Sequence, residues 1–262
     1  MANTRQDEEI APSPGDSYVQ SFARGLQVIR SFSAAAPRQT LSEVAAATGL
    51  TRAGARRILL TLQSLGYVET DGKRFGLTAR ILELGFAYLS SMPIWNRAEP
   101  VMESLVRQVK ESCSAAVLDG TDIVYVLRVQ THKIMHINLS VGTRLPAYCT
   151  SLGRMLLADL DDATVRERLQ ASDRTALTRY TITDVDTLVA KVAQARRQGW
   201  CLMNQELEEG LISIAAPVTD RSGRTVAALN VSGQANRTSA KVMQDTMLPG
   251  LRAAAAEISR LL

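Results

Sequence analysis

Residues 41–66 read LSEVAAATGLTRAGARRILLTLQSLG. Leu41, Val44, Ala45 and Ala47 recur at helical spacing, Gly49 supplies the left-handed residue that ends a helix, and Thr51 is suited to cap the next one. Ala55, Ile58, Leu59, Leu62 and Leu65 then recur at three and four residues, which leaves Arg52, Ala53, Arg56, Arg57 and Gln63 on or near the opposite face. Two short helices joined by a tight turn, the second opening on three arginines, have the arrangement of a DNA-reading helix-turn-helix. A helix docked by its N-terminal end in a major groove needs small residues for close approach and long donors for phosphates and base edges. Ala53, Gly54 and Ala55 beside the arginines meet that need. A small helical pair with solvated arginines would have the same pattern, so the flanking sequence decides.

Residues 1–16 are polar, proline-bearing and without period, and predict a disordered tail over 1–17. In SFARGLQVIRSF, Phe22, Leu26, Ile29 and Phe32 stand at helical spacing and predict a first helix whose apolar stripe joins the core of the other two. After Gly66, YVETDGKRFGLT places two β-prone segments around the turn dipeptide Asp71-Gly72, with Lys73 and Arg74 at the tip. Helix, helix-turn-helix and basic-tipped hairpin in this order predict a winged helix over 18–77, with Thr51, Arg52, Ala53, Arg56, Arg57, Lys73 and Arg74 as the residues that meet double-stranded DNA. Residues 78–92, with Ile81, Leu84, Gly85, Tyr88 and Leu89 in helical register before Pro93, predict a linker helix. Its apolar stripe has no partner in so small a domain and fits the same helix of a second subunit, which would suit a two-fold, palindromic operator.

Charge is distributed accordingly. Residues 1–20 carry one arginine against four acids, residues 21–78 eight basic against three acidic groups, and the remainder is nearly balanced. The basic excess sits where phosphate would be met. A hydrophobic content of 46% with 21% charged residues excludes disordered and fibrous classes. No apolar run of membrane-spanning length and no signal-peptide pattern occurs, so a cytoplasmic address without a membrane partner is expected. Cys113, Cys149 and Cys201 form neither a disulfide framework nor a zinc spacing.

Residues 93–262 predict an α+β domain on an antiparallel sheet. A long amphipathic helix over 94–111 (Trp95, Ala98, Val101, Met102, Leu105, Val109) precedes a hairpin around Asp119-Gly120 and a strand over KIMHINLSVGTRLPAY ending near Pro146. Short helices follow over 151–160 and 163–169, a longer one over 184–198 closed by Gly199, strands around the turn at residues 220–223, and a last helix over 239–262 with a kink at Pro249-Gly250.

An enzyme of this size would be expected to carry a recognisable constellation, but there is no GxGxxG, P-loop or GxSxG pattern. His132 and His136 share a strand face without a third ligand beside them, and neither a metal nor another cofactor is expected. Two stretches depart from plain core. In RLPAYCTSLGRMLLADL, Thr150, Ser151 and Gly153 open a helix whose N-terminus is a natural seat for a carboxylate. In NQELEEGLISIAAPV and VAALNVSG, Ser213, Asn230 and Ser232 interrupt apolar strands, the last two on one face. Polar groups converging in an apolar surround make a small-molecule pocket. An aromatic or dicarboxylic acid there would need a cation, for which Arg128 and Arg144 are the candidates, with Tyr148 and His136 available to stack or hydrogen-bond.

The segments SFARGLQVIRSF, LSEVAAATGLTRAGARRILLTLQSLGYV, GTRLPAYCTSLGRMLLADL, ELEEGLISIAAPV and AALNVSG together resemble the IclR (isocitrate lyase regulator) family of bacterial transcription factors over residues 18–262. ELEEGLISIAAPV and LPAYCTSLGRMLLA are most similar to the branch regulating aromatic-acid and β-ketoadipate catabolism. The resemblance implies a GAF-like effector domain over 93–262, dimers or tetramers on a palindromic site, and effector contacts at Ser151, Leu152, Ser213, Asn230 and Ser232. This chain departs from the pattern at Asn204, where several members carry Asp, at Ser213, where they carry Cys, and at Asn230, where Ser is common. Those departures leave no basis for transferring a specific ligand such as glyoxylate and allow a larger carboxylate. The expected function is a ligand-responsive, non-enzymatic regulator. A carboxylate-handling enzyme with a basic appendage and an architectural DNA binder without ligand are the alternatives.

Overall fold

The computed structural model describes residues 18–92, 94–131 and 139–262; the expectations for the tail 1–17 and for His132 and His136 lie outside the described residues. The chain divides into two compact units between Ala87 and Tyr88.

The first unit is built from α1 (Gln20–Arg30), β1 (Arg38–Thr40), α2 (Leu41–Thr48), α3 (Arg52–Ser64), β2 (Val68–Thr70) and β3 (Arg74–Leu77). Local chemistry sets each boundary. Thr40 and Glu43 form a reciprocal capping box at the start of α2, Gly49 leaves the helix at φ 66°, and the Thr51 hydroxyl accepts the Gly54 amide at 3.1 Å to open α3. The Asp71 carboxylate accepts the Lys73 and Arg74 amides at 2.9 and 2.7 Å and so shapes the hairpin turn. β1 pairs with β3 as a third strand, and Arg38 ties it to Glu69 of β2. Three residues on an edge give no periodicity from which a strand could be read.

Val28, Val44, Ala45, Ala55, Leu59, Leu62 and Val68 form the core, with Ile29 and Phe32 packed against it. Here the structure corrects the expected stripes. Phe22 is 68% and Leu26 42% exposed, Leu65 is exposed, and Thr48 rather than Ala47 is buried. Only the C-terminal half of α1 reaches the core. Burial of Thr48 is tolerated because its hydroxyl donates to the Val44 carbonyl at 2.7 Å.

Hydrogen bonds from backbone amides, those of Thr40 and Arg74 foremost, hold the Glu43 and Asp71 carboxyls below their ordinary pKa. A depressed folded-state pKa stabilises above the unfolded value and is lost as pH falls through the folded one. Thermal unfolding of the first unit should therefore weaken on acidification from about pH 5 towards 3, the carboxylate titration range. Glu43→Gln should flatten that dependence, and an unaltered profile would remove Glu43 from the account.

From Thr78 a 3-10 turn (Ala79–Ile81) runs into α4 (Leu82–Ser90). The second unit follows with α5 (Ile94–Val109), β4 (Ser112–Asp119), β5 (Asp122–Val129), β6 (Arg144–Pro146), α6 (Ser151–Leu157), α7 (Asp162–Ala171), α8 (Val185–Gln198), β7 (Cys201–Asn204), β8 (Leu211–Thr219), β9 (Thr225–Gln234), α9 (Ala240–Val242), a π-turn (Met243–Met247) and α10 (Leu248–Ser259). The six strands form one antiparallel sheet in the order β6-β5-β4-β9-β8-β7. Strand alternation sends Ile212, Ile214, Ala216, Ala227, Leu229 and Val231 to the face covered by α5 and α10. Ala215 and Ala228 turn to the face covered by α6, with α7 and α8 beyond it. Where a kink at Pro249-Gly250 was expected, the π-turn runs directly into α10, with Pro249 in the first turn of α10.

Candidate functional site

A narrow cavity of about 20 Å3, room for about one water molecule, opens on the α6 face of the sheet. Its floor follows from register. Ser112 of β4 lies opposite Ser232 of β9, which lies opposite Ser213 of β8; in the next row Arg128 of β5 lies opposite Ser114, and Ser114 opposite Asn230. Two cross-strand rows of polar side chains thus occupy a surface otherwise lined by Tyr125, Leu139, Leu152, Met203, Leu207 and Leu211.

Arg128 reaches this floor because of one irregularity. Ala115 pairs with Leu127 but Ala116 pairs with Tyr125, so β5 carries a bulge at Val126. Ile123 and Tyr125 face α6 before the bulge; beyond it Leu127 and Val129 turn to the α5 face, and Arg128 turns into the cavity. An unbroken strand would have sent Arg128 the other way. Its Nε is buried and, among the described residues, has no hydrogen-bond partner. Desolvation lowers its pKa from the ordinary guanidinium value, an effect that the adjacent Tyr125 opposes.

The floor is internally bonded. The Ser114 amide donates to Asn230 Oδ1 at 3.2 Å and Asn230 Nδ2 donates to Ser232 Oγ at 3.0 Å, which fixes the orientation of that side chain. The Ser151 and Ser213 hydroxyls, both buried, lie 2.9 Å apart on the cavity wall. Ser151 is held there by close approach of backbones: a Cβ on Gly153 would stand 2.3 Å from the Ala147 Cα and carbonyl oxygen, so only glycine lets α6 sit this deep. Thr150 caps α6 by accepting the Gly153 amide at 3.1 Å.

The segment Gln205–Leu207 closes one wall. Gln205 adopts φ 64°, and its amide donates to the Leu211 carbonyl at 2.7 Å. Glu206 is buried and accepts from Arg154 Nη1 and Nη2 of α6 at 3.0 and 2.6 Å; Arg154 Nε donates to the Tyr148 carbonyl. The Ile182 amide donates to Glu206 Oε2 as well, so one bidentate pair ties α6, the wall and the loop before α8. Cys149 also lines the cavity, and burial pushes its thiol up to about 11.

Of the residues singled out in the sequence, Arg128, Thr150, Ser151, Leu152, Ser213, Asn230 and Ser232 line the cavity. Arg144 and Tyr148 do not, and both placements correct the expectation. Arg144 lies on the edge strand β6, partly exposed and paired with Asp119 at 2.5 Å and Asp122 at 3.2 Å. Tyr148 is buried beside α6 and its hydroxyl donates to the Thr175 carbonyl at 2.6 Å. Sequence reasoning missed Ser112, Ser114, Gln205 and Glu206. The two serines alternate within β4 as Asn230 and Ser232 do in β9, a signal that was there to be found.

In the first unit Thr51, Arg52, Ala53, Arg56 and Arg57 are exposed along α3, and Lys73 and Arg74 are exposed on the hairpin. Among the described residues none of these five cations is in an ion pair. Arg74 stands close enough to Glu43 to help hold its carboxyl below the ordinary value.

Residues 21–72 match the IclR helix-turn-helix domain, and residues 86–260 match the bacterial transcriptional regulator IclR C-terminal domain. The chain is 43% identical to the Pca regulon regulatory protein of Pseudomonas putida, over 96% of its own length and 87% of that protein's. A candidate transcriptional regulator of Rhodococcus sp. RHA1 is similar at 50% identity and a TM-score of 0.83, covering 93% of this chain and 98% of the other. An IclR homologue of Microbacterium hydrocarbonoxydans, solved with 4-hydroxybenzoate, is similar at 25% identity and a TM-score of 0.80, covering 92% and 98%.

Proposed function

The chain belongs to the IclR family of bacterial transcriptional regulators, and from that premise we propose that it switches genes of aromatic-acid catabolism by binding a small carboxylic acid in the cavity of its second unit. The observation that carries the reading is the cavity itself, an apolar enclosure with polar floor rows and one unspent arginine. The bound 4-hydroxybenzoate of the Microbacterium homologue supports an aromatic acid of that class. Thr51, Arg52, Ala53, Arg56 and Arg57 meet the major groove in this reading, and Lys73 and Arg74 the flanking backbone. The exposed apolar residues Phe22, Leu26, Leu82, Leu84 and Phe86 serve contacts between subunits, in keeping with a dimer or tetramer on a palindromic operator.

The protein acts as a regulator rather than a catalyst. Cys149, the nucleophile nearest to hand in the cavity, is kept protonated at neutral pH. Binding bacterial DNA, as in this reading, puts the protein's work in the cytoplasm; among the described residues no helix is long and apolar enough to cross a membrane.

Thermal unfolding of the full chain with 4-hydroxybenzoate, 3,4-dihydroxybenzoate and adipate tests the proposal. A ligand selective for the folded state raises the transition by an amount that grows with its concentration, about 2.7 kcal/mol at a hundredfold excess over Kd. Indifference to all three acids sinks the effector reading, and turnover of any of them revives the enzyme.

A further inference from the structure

We propose that Arg128 is the carboxylate anchor of the cavity and that it fixes which way round an aromatic acid lies, carboxylate toward β4 and β5, ring hydroxyl toward Ser151 and Ser213. The inference rests on the effector reading above and sharpens it. It also reverses the expectation that the N-terminus of the helix after Thr150 seats the carboxylate.

Two charged side chains are among the described residues lining the cavity, Arg128 and Glu206. Glu206 is spent: both its oxygens are held by Arg154. Arg128 is not, since it has no acid partner among the described residues and its Nε is buried without an acceptor. A desolvated donor left unmade is costly, and a carboxylate, with two oxygens in the plane of the guanidinium, meets it in the geometry that arginine favours. The bulge at Val126 exists on the one strand where it brings that cation to the floor.

The opposite end is already supplied with neutral partners. α6 has seven residues, its Gly153 amide is taken by Thr150, and the Ser151 and Ser213 hydroxyls are bonded to each other. Beside them the wall carries the Arg154–Glu206 pair, whose charges balance, so this end offers partners to a neutral phenol hydroxyl but no free cation to a carboxylate. Arg128 on β5 and Ser213 on β8 are three strand steps apart, about 14 Å between backbones at the usual spacing. Side chains rise from the sheet rather than along it, so a ring lying over β4 and β9 sets its two ends beside β5 and β8, and the narrow cavity must widen to admit it. Tyr125, Leu152, Met203 and Leu211 supply the apolar walls for the ring.

Calorimetric titration of the full chain with 4-hydroxybenzoate, the neutral 4-hydroxybenzamide and unsubstituted benzoate separates the two ends. The wild type should prefer the acid over the amide by about 30-fold, the scale of a charge-assisted pair. Arg128→Gln should bring that ratio near unity, and Ser213→Ala should erode the preference for 4-hydroxybenzoate over benzoate while leaving the acid-to-amide ratio in place. Should Arg128→Gln not fold, Arg128→Lys takes its place and should retain the preference reduced severalfold. An undiminished acid-to-amide ratio in the Arg128 variants, or its loss in Ser213→Ala, overturns the anchor alone. Absence of binding of all three compounds to the wild type overturns the effector reading and the anchor with it.

Discussion

Arg154→Met is expected to lower the unfolding temperature of the second unit by about 10 °C, from a loss of about 3–5 kcal/mol when one partner of a buried pair is removed. The Arg154 and Glu206 side chains are 3% and 10% exposed, so the carboxylate left behind cannot be resolvated by surface water. The Tyr148 carbonyl loses its donor in the same step. The consequence is not confined to stability. Glu206 also accepts the Ile182 amide and forms part of the cavity wall, so releasing it loosens the segment that shapes the ligand's far end. Affinity for a cavity ligand should fall together with the transition temperature. Arg154→Met combined with Glu206→Leu removes both charges and should recover much of the stability, because burying a matched apolar pair costs less than burying one lone ion. It should not recover the affinity, since the Ile182 tie is still lost. A double variant as unstable as the sum of its singles would mean that the pair contributes through packing rather than charge.

How much of this was legible in the sequence depends on the range of the forces involved. Gly49, Thr51 and the Asp71-Gly72 turn act on backbone atoms within four residues, and their roles were readable from residue type alone. Phe22 and Leu26 stand in the same helical register as Ile29, and periodicity cannot say that the core ends beneath Val28. The two arginines proposed for the cavity show the limit best. Arg128 and Arg144 are both strand arginines in a β-rich run, and Tyr125 would share the face of Arg128 only if the strand slipped by one residue. The slip is decided by how β4 pairs with β5, and Arg144 is claimed by Asp119 and Asp122 across the hairpin. Both outcomes are tertiary, and no local pattern records them. The Arg154–Glu206 pair joins residues 52 apart in sequence and was invisible for the same reason.

Arg56→Ala with Arg57→Ala should weaken binding to a duplex selected from random sequence by about 100-fold and flatten the dependence of log affinity on log salt by one to two, as each lost phosphate contact removes about 0.9 from the slope. The two residues are consecutive and exposed on α3, with Ala55 and Leu59 buried on its other face. Consecutive helix positions are separated by about 100°, so the two guanidinium groups cannot address the same target. On a helix seated in a major groove one would face the groove floor and the other a strand backbone, and single variants distinguish them. The base-reading arginine, when replaced, should cost about 1–3 kcal/mol on the selected duplex and relax preference at one position, with the salt slope little altered. The phosphate-reading one should weaken every duplex alike and take its share of the slope. Lys73→Ala on the hairpin should resemble the second kind, because a lysine at a turn tip acts as a point charge near the backbone. Affinity and slope that both survive the double substitution would move the reading surface off α3, and the exposed cations of the first unit would then need another role.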